Sequence, residues 1–312
     1  MLYTCSWIMR YSVPHPIPYQ GSKRRLAPAI LSFVQKGQFR RMVEPFAGSA
    51  AITLAAAKNE LCAEFVIADA LRPLADLWNQ VIEKPEVLSC AYRALWQSQF
   101  SGNPIERYNL IRAEFNCNHN PAMLLFLLAR CVKNAVRFNP SGEFNQSADK
   151  RRTGTHPDTM EKEVAGAHKL LSGRCRALCG DFREVLRTVG PEDIVYLDPP
   201  YQGTTEGRDS RYFQGVPRAA IVELLSQLND KGVQYILSYD GHCGARIYGE
   251  PLPAFLEAQR VLLNVGRSSQ ATLNGENTET VESVYLSSGL ATHHIASGPM
   301  SLQDFAPQLP LL

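Results

Sequence analysis

"EDIVYLDPPY", Glu192 to Tyr201, decides the fold. Apolar residues run from Ile194 to Leu197 and stop on an aspartate, two prolines and a tyrosine. Such a run between turn signals reads as a buried strand. Pro199 and Pro200 set their own backbone angles and cannot extend a ladder, so the strand ends on a rigid corner. That corner fixes the carboxylate of Asp198 beside the ring of Tyr201.

Working outward, strands and helices alternate in two separated blocks. "RRMVEPFAG" (40–48) reads as a strand entering a glycine turn, and "SAAITLAAAKN" (49–59) as the helix that follows. "EFVIADA" (64–70) and "PLADLWNQVI" (73–82) repeat the pattern. The second block holds the strands "RCRALCGDF", "EDIVYLDPPY" and "GVQYILSYDG", with the amphipathic helix "RAAIVELLSQLNDKG" stopped by Gly232. "AQRVLLNVG" and "ETVESVYLSSG" read as a closing antiparallel hairpin. Alternation of this kind predicts an α/β fold, with a mostly parallel sheet covered on both faces and ligands at the carboxyl ends of its strands. The hairpin makes the sheet mixed.

The blocks are interrupted by residues 83–168. The interruption is helical first ("PEVLSCAYRALWQSQF", "IERYNLIRAEFN", "PAMLLFLLARCVKNAVRF"), then polar, basic and punctuated by Gly and Pro. From Arg130 to Arg152 six basic residues face two acidic ones. The reading is a discontinuous core domain (1–82 and 169–289), an inserted helical module carrying a basic hairpin or loop (83–168), and a C-terminal tail (290–312). The basic run is either a solvated loop or a contact for nucleic-acid phosphates.

Composition narrows the class. With 312 residues, 45% hydrophobic and 20% charged, the chain reads as soluble and globular. A formal charge of +2 means that any polyanion must meet a local patch. Eight scattered cysteines in so long a chain predict reduced thiols. Cys175 and Cys179 lack partners at zinc spacing, so no metal is expected. No apolar run reaches membrane-span length. The opening "MLYTCSWIMRYSV" is broken by Arg10 and has no basic leader, so a cytoplasmic protein is expected.

Several residues carry candidate chemistry. Gly48 permits a tight turn and close approach of a cofactor. Asp69 closes the next strand, 21 residues later, where an acid can bind ribose hydroxyls. The full G-x-G-x-x-G is absent, which favours a nucleoside cofactor without a diphosphate. In "PIPYQGSKRRLAP" (16–28), Gly21 gives a turn, Ser22 is placed to cap a helix, and Lys23 sits in its first turn. A lysine there opposes the helix dipole, so it is either solvent-facing or paired with a cofactor's carboxylate. Asp198 and a proline carbonyl together can accept hydrogen bonds from an exocyclic amine, and Tyr201 can stack on the base that bears it. The bland reading of "DPPY" is a strand-ending turn.

In order along the chain, "YQGSK", "EPFAG", "VIAD", "VRFNPSGEFN", "YLDPPY" and "ILSYDG" resemble the motifs of the Dam-type (D12 class) DNA adenine-specific methyltransferases. The resemblance implies a Rossmann-like S-adenosylmethionine-dependent methyltransferase fold with an inserted, mainly helical DNA-recognition domain. It also implies transfer to the 6-amino group of an adenine flipped out of double-stranded DNA. By match, Tyr19, Gly21, Lys23, Glu44, Phe46, Gly48, Asp69, Asp181 and Asp198 would contact the cofactor. Asp198, Pro199, Pro200 and Tyr201 would form the catalytic loop. Arg137, Phe138, Asn139, Asn145, Lys150, Arg151, Arg152 and Arg267 would meet DNA. Phe138 would fill space in the base stack, or else anchor its loop to the helical core. Ala50 departs from the pattern, since relatives often carry a second glycine there. A short recognition sequence, a restriction endonuclease acting separately, and a monomer or weak dimer are expected.

Two other readings remain. The same site could serve cytosine's exocyclic amine or adenine in RNA, or the chain could be a DNA-binding regulator without turnover. Cysteine-dependent carbon-5 methylation is disfavoured, because none of the cysteines follows a proline.

Overall fold

A computed structural model describes residues 13–200, 216–243, 246–248, 250–267, 279–290 and 300–301. In chain order, the amino-terminal part contains α1 (Ala27–Leu31), β1 (Arg41–Glu44), α2 (Ala51–Lys58), β2 (Glu64–Asp69) and α3 (Arg72–Glu83). Four helices follow: α4 (Pro85–Ser98), α5 (Pro104–Asn118), α6 (Pro121–Arg130) and α7 (Pro157–Leu171). The second part contains β3 (Cys175–Cys179), α8 (Phe182–Val185), β4 (Asp193–Leu197), α9 (Arg218–Asp230), β5 (Gln234–Cys243), β6 (Arg246–Tyr248), β7 (Gln259–Arg267), β8 (Glu279–Leu286) and β9 (Met300–Ser301).

Among the described residues the strands form a nine-stranded sheet in the order β3-β2-β1-β4-β5-β8-β7-β9, with β6 beside β5. The pairs from β3 to β5 are parallel, whereas β8 is antiparallel to both β5 and β7. The sheet is mixed, as the alternation and the closing hairpin predict. Within the expected tail, β9 pairs parallel with β7.

Strand alternation sorts side chains onto two faces. Met42, Ile194 and Tyr196 join the larger apolar cluster, with α1 to α7. Val43, Val195 and Leu197 join a second cluster, with α8 and α9. Both faces are therefore covered, which is why β4 is buried throughout. Leu124 to Leu128 of α6 lie in the same cluster as Leu54 of α2 and Trp78 of α3, so the interrupting helices share the core of the sheet.

Local signals account for the helix starts. Asn103 and Asn120 each precede a proline, and their side-chain oxygens accept from Ile105 N (2.9 Å) and Ala122 N (2.9 Å). This is N-capping with proline in the first turn. The end of α6 departs from the sequence expectation of a helix through Phe138. The helix stops at Arg130, and Cys131 turns extended. Lys133 and Asn134 then take left-handed backbone angles (φ 59° and 53°). Asn134 Nδ2 donates to Leu128 O (2.8 Å), satisfying a carbonyl at the helix end. Beyond it the chain folds back on itself as an irregular hairpin, with antiparallel bridges at Cys131–Ala148 and Phe138–Phe144.

At the amino-terminal edge of the sheet, Arg41 faces Asp193 across β1 and β4. Arg41 Nε donates to Asp193 Oδ1 (3.0 Å) and its NH2 to Oδ2 (2.6 Å), with Asp193 fully buried. Removing one partner of a buried pair typically costs about 3–5 kcal/mol. Asp193→Ala is expected to lower unfolding free energy in urea by that order, and a change within about 0.5 kcal/mol, the range of ordinary surface substitutions, would show the pair to be dispensable.

Candidate active site

The strand order reverses at β1: β2 and β3 lie on one side, β4 and β5 on the other. Ligands in open α/β sheets bind at such a switch point, beyond the carboxyl ends of the strands. Here β1 ends on Glu44, β2 ends on Asp69, and Asp198 follows β4 directly. A cavity of about 680 Å³ opens at this edge. All nine residues expected to contact a cofactor line it: Tyr19, Gly21, Lys23, Glu44, Phe46, Gly48, Asp69, Asp181 and Asp198. Pro199, Pro200 and Phe138 line it as well. Tyr201 lies outside the described residues.

The turn after β1 is held from three directions. Gly48 has φ +47°, and a Cβ there would lie 3.3 Å from the Tyr19 ring. Its N–H donates to Asp69 Oδ2 (3.2 Å), and its carbonyl accepts from the buried Trp78 Nε1 (2.9 Å). Asp69 Oδ1 accepts from Leu71 N (2.9 Å). Burial pushes the Asp69 carboxyl above the usual range, opposed by the bonds from Leu71 and Gly48. Ala50 is also left-handed (φ 45°, ψ 37°), which costs an alanine roughly 1–2 kcal/mol. A glycine would relieve this strain, which explains why glycine suits the position.

Glu44 faces the start of α2. Its Oε2 accepts from Thr53 N (2.9 Å) and Thr53 Oγ1 (2.5 Å). Burial is the main cause that raises its pKa to about 8, so it is largely protonated at neutral pH. This carboxyl meets an amide of the α2 first turn that an anion would otherwise take.

Lys23 begins a short 3-10 helix, Lys23–Arg25, and is 7% exposed. Its ammonium lies 3.1 Å from Asp198 Oδ1 and 3.6 Å from Glu282 Oε2 on β8. The lysine thus has carboxylate partners within the protein. Burial raises the Asp198 pKa to about 6; Lys23 lowers it and Glu282 raises it further. Ser22 makes no cap bond, contrary to the sequence expectation. Its hydroxyl instead pairs with Ser49 Oγ (2.8 Å), tying the Lys23 segment to the Gly48 turn.

Asp181 caps α8 and pairs with Arg183 (2.8 Å), which holds its carboxyl below the usual range. Phe182 packs on Phe46, ring centroids 5.2 Å apart, making an aromatic wall of the cavity.

The expected DNA contacts divide. Phe138 is half-buried, edge-on to Phe144 at 5.5 Å, and packs on the main core. Asn139 is committed to the hairpin tip, donating to Glu143 Oε2 (2.8 Å) and accepting from Glu143 N (2.9 Å). Arg152 is held by Asp149 (2.9 Å) and by the Cys131 carbonyl (3.1 Å). Asn145, Lys150 and Arg151 are exposed, and Arg137 is half-buried. The side chain of Arg267 lies outside the described residues.

Four contributors escaped the sequence reading. Glu282 sits in a strand whose alternation says nothing of a distant lysine. Thr53 and Phe182 look like ordinary helix residues. Trp78 carried a signal, since a buried indole N–H needs an acceptor.

A family model for the D12 class N6 adenine-specific DNA methyltransferases matches residues 19–288. The chain belongs to this family. It is 28% identical over 233 residues to the DNA N-6-adenine-methyltransferase of Escherichia phage P1, covering 72% of this chain and 29% of that protein. It is 26% identical over 264 residues to the retron Ec67 DNA adenine methylase of Escherichia coli, covering 82% and 88%. The DNA adenine methylase of Haemophilus influenzae is 26% identical over 190 residues, covering 59% and 63%. Membership of a methyltransferase family implies S-adenosylmethionine. The residues present fit that group: Asp69 offers acceptors to a ribose, Phe46 and Phe182 offer an apolar face to a base, and Glu44 disfavours a diphosphate at α2. Among the described residues no helix is long and apolar enough to cross a membrane.

A carboxyl raised to about 8 binds its proton more tightly folded than unfolded, so Glu44 costs stability as pH rises from about 4.5 to 8. A glutamine can accept the same Thr53 bonds and does not titrate. The stability of Glu44→Gln relative to the parent is therefore expected to climb across that window, measured by urea unfolding at several pH values. A difference flat with pH would refute the assignment.

Proposed function

We propose that this chain transfers a methyl group from S-adenosylmethionine to the 6-amino group of adenine in double-stranded DNA. The observation that carries the reading is Asp198: a carboxylate on a rigid Pro-Pro corner, bonded through one oxygen to Lys23, in the cavity that also holds the Gly48–Asp69 turn. When bound, the cofactor supplies an activated methyl, so the protein need only orient the acceptor and exclude water. Asp69 would bind the ribose, Tyr19 and Phe46 would line the pocket, and Asp181 would meet the adenine. Asp198 would accept a hydrogen of the target amine and so orient the amine's lone pair toward the methyl that the cofactor would supply. Pro199 and Pro200 hold this geometry before the substrate arrives. Tyr201, next in the chain and outside the described residues, would stack on the flipped base, as the resemblance implies. Flipping costs a few kcal/mol, which contacts to the rest of the DNA offset.

Recognition of a short DNA sequence falls to residues 83–168, whose hairpin brings Val136 and Phe138 to the cavity. A restriction endonuclease acting separately on the same sequence is a compatible partner. The packing of Phe138 on Phe144 supports the anchoring role for its ring, with Asn145, Lys150 and Arg151 outward toward DNA.

Asp198→Ala is expected to abolish detectable methylation while calorimetric affinity for S-adenosylmethionine stays within a few-fold. In the parent, a proton on Asp198 removes its negative charge and leaves a weaker acceptor, so turnover should fall as pH drops through about 6. Turnover within tenfold of the parent would sink the role. For DNA, Lys150→Gln with Arg151→Gln should reduce the slope of log affinity against log salt by up to about 1.8, at roughly 0.9 per phosphate contact. An unaltered slope would remove both side chains from the interface.

A further inference from the structure

The turn that leaves β3 sets Gly180, Asp181, Phe182 and Arg183 along the cavity wall. The Gly180 amide donates to the Asp69 carbonyl (3.2 Å), so this turn is tied to the end of β2. Arg183 then gives Asp181 three donors. Its backbone N–H (2.9 Å) and its Nε (2.8 Å) go to Oδ1, and its NH2 (2.9 Å) goes to Oδ2. Its Cζ also lies 5.3 Å from the centroid of the Phe182 ring, which packs on Phe46. Among the described residues no other side chain bonds to either partner. The two side chains are 65% and 40% exposed, and an ion pair so exposed adds little stability. What the pair does is fix a carboxylate at the cavity wall.

A carboxylate offers about four acceptor positions, shared equally by its oxygens. Arg183 fills both positions on Oδ1 and one on Oδ2, which leaves one on Oδ2. The backbone bond alone would hold Oδ1 and let the carboxylate plane turn about it. The guanidinium fork takes both oxygens and fixes that plane. The bond from Arg183 also holds the Asp181 carboxyl below the usual range, so at neutral pH it can only accept.

We propose that Arg183 is a positioning residue: by locking the Asp181 carboxylate it leaves one acceptor position for an N–H donor, and so makes the pocket selective for the 6-amino group of the cofactor's adenine. The inference rests on the methyltransferase reading and on Asp181 meeting that adenine. An amino group can donate to the open position. A purine with a 6-oxo group in its place brings a lone pair against an oxygen that carries no proton. Sites built around a hydrogen bond reject the analogue that cannot make it, because a polar group is left unpaired.

Calorimetry on the full chain would compare S-adenosylhomocysteine, the product form of the cofactor, with its 6-oxo analogue S-inosylhomocysteine. The parent should bind the adenosyl form at least about tenfold more tightly. In Arg183→Gln that ratio should shrink by about threefold or more, while affinity for the inosyl form stays within about twofold, which also shows an intact pocket. Arg183→Lys keeps a point charge without the fork and should fall between parent and Arg183→Gln. In an Asp181→Ala background, Arg183→Gln should change the ratio no further, because the arginine acts through that carboxylate. A loss of packing on Phe182 would weaken both forms alike and leave the ratio unmoved. A ratio in Arg183→Gln equal to the parent's, or one that widens because the arginine had competed for the carboxylate, would overturn the inference. A further loss in the Asp181→Ala background would do the same. A parent that binds both forms alike would overturn it and leave the methyltransferase reading standing, whereas a parent that binds neither would overturn both.

Discussion

The buried Lys23 ammonium beside Asp198 is the interaction on which the rest of the site depends. Removing a lysine from water is costly unless it is paired, so Lys23 must have its acids in place. Asp198 is equally committed, because its backbone is fixed by β4 on one side and two prolines on the other. The pair therefore joins the segment before β1 to the end of β4, and Glu282 extends the connection to β8. Three distant parts of the chain meet only when the sheet has its observed order. An isolated fragment would not assemble this charge pattern.

Around that pair the fold builds two halves of one cavity. Gly48 is fixed by Asp69, Trp78 and the Tyr19 ring, which shapes the half suited to a nucleoside. Asp198 and the Pro-Pro corner shape the half suited to an amine. The hairpin after α6 brings Val136 and Phe138 to the cavity wall, and its two left-handed residues mark a sharp change of direction. The Gln20 amide donates to the Asn134 carbonyl (3.0 Å), so the Lys23 loop and the hairpin are held directly to each other.

Much of this was legible in the residues. The alternation of apolar runs and amphipathic helices foretold the sheet and its antiparallel end, because side-chain period and strand length are local properties. The carboxylates at strand ends were legible for the same reason: Asp69 and Asp198 each close an apolar run, whereas Glu44 came only with the family resemblance. What could not be read was pairing across the sheet. Nothing near Glu282 announces Lys23, and nothing near Asp193 announces Arg41, since both contacts follow from strand order. The end of α6 was misread because "ARCVKNAVRF" continues a helical composition. Its termination depends on Asn134 reaching Leu128 and on bridges to residues beyond Phe138. Ser22 has cap chemistry, yet its hydroxyl is used by Ser49.

The most direct measurement is the product itself. The purified protein would be incubated with unmethylated duplex DNA and S-adenosylmethionine carrying a labelled methyl group. The DNA would then be digested to nucleosides and separated by chromatography with mass detection. The account predicts label in N6-methyldeoxyadenosine, from duplex DNA containing the recognition sequence. Label in N4-methyldeoxycytidine, label only when RNA is supplied, or no label at all with cofactor bound would contradict it.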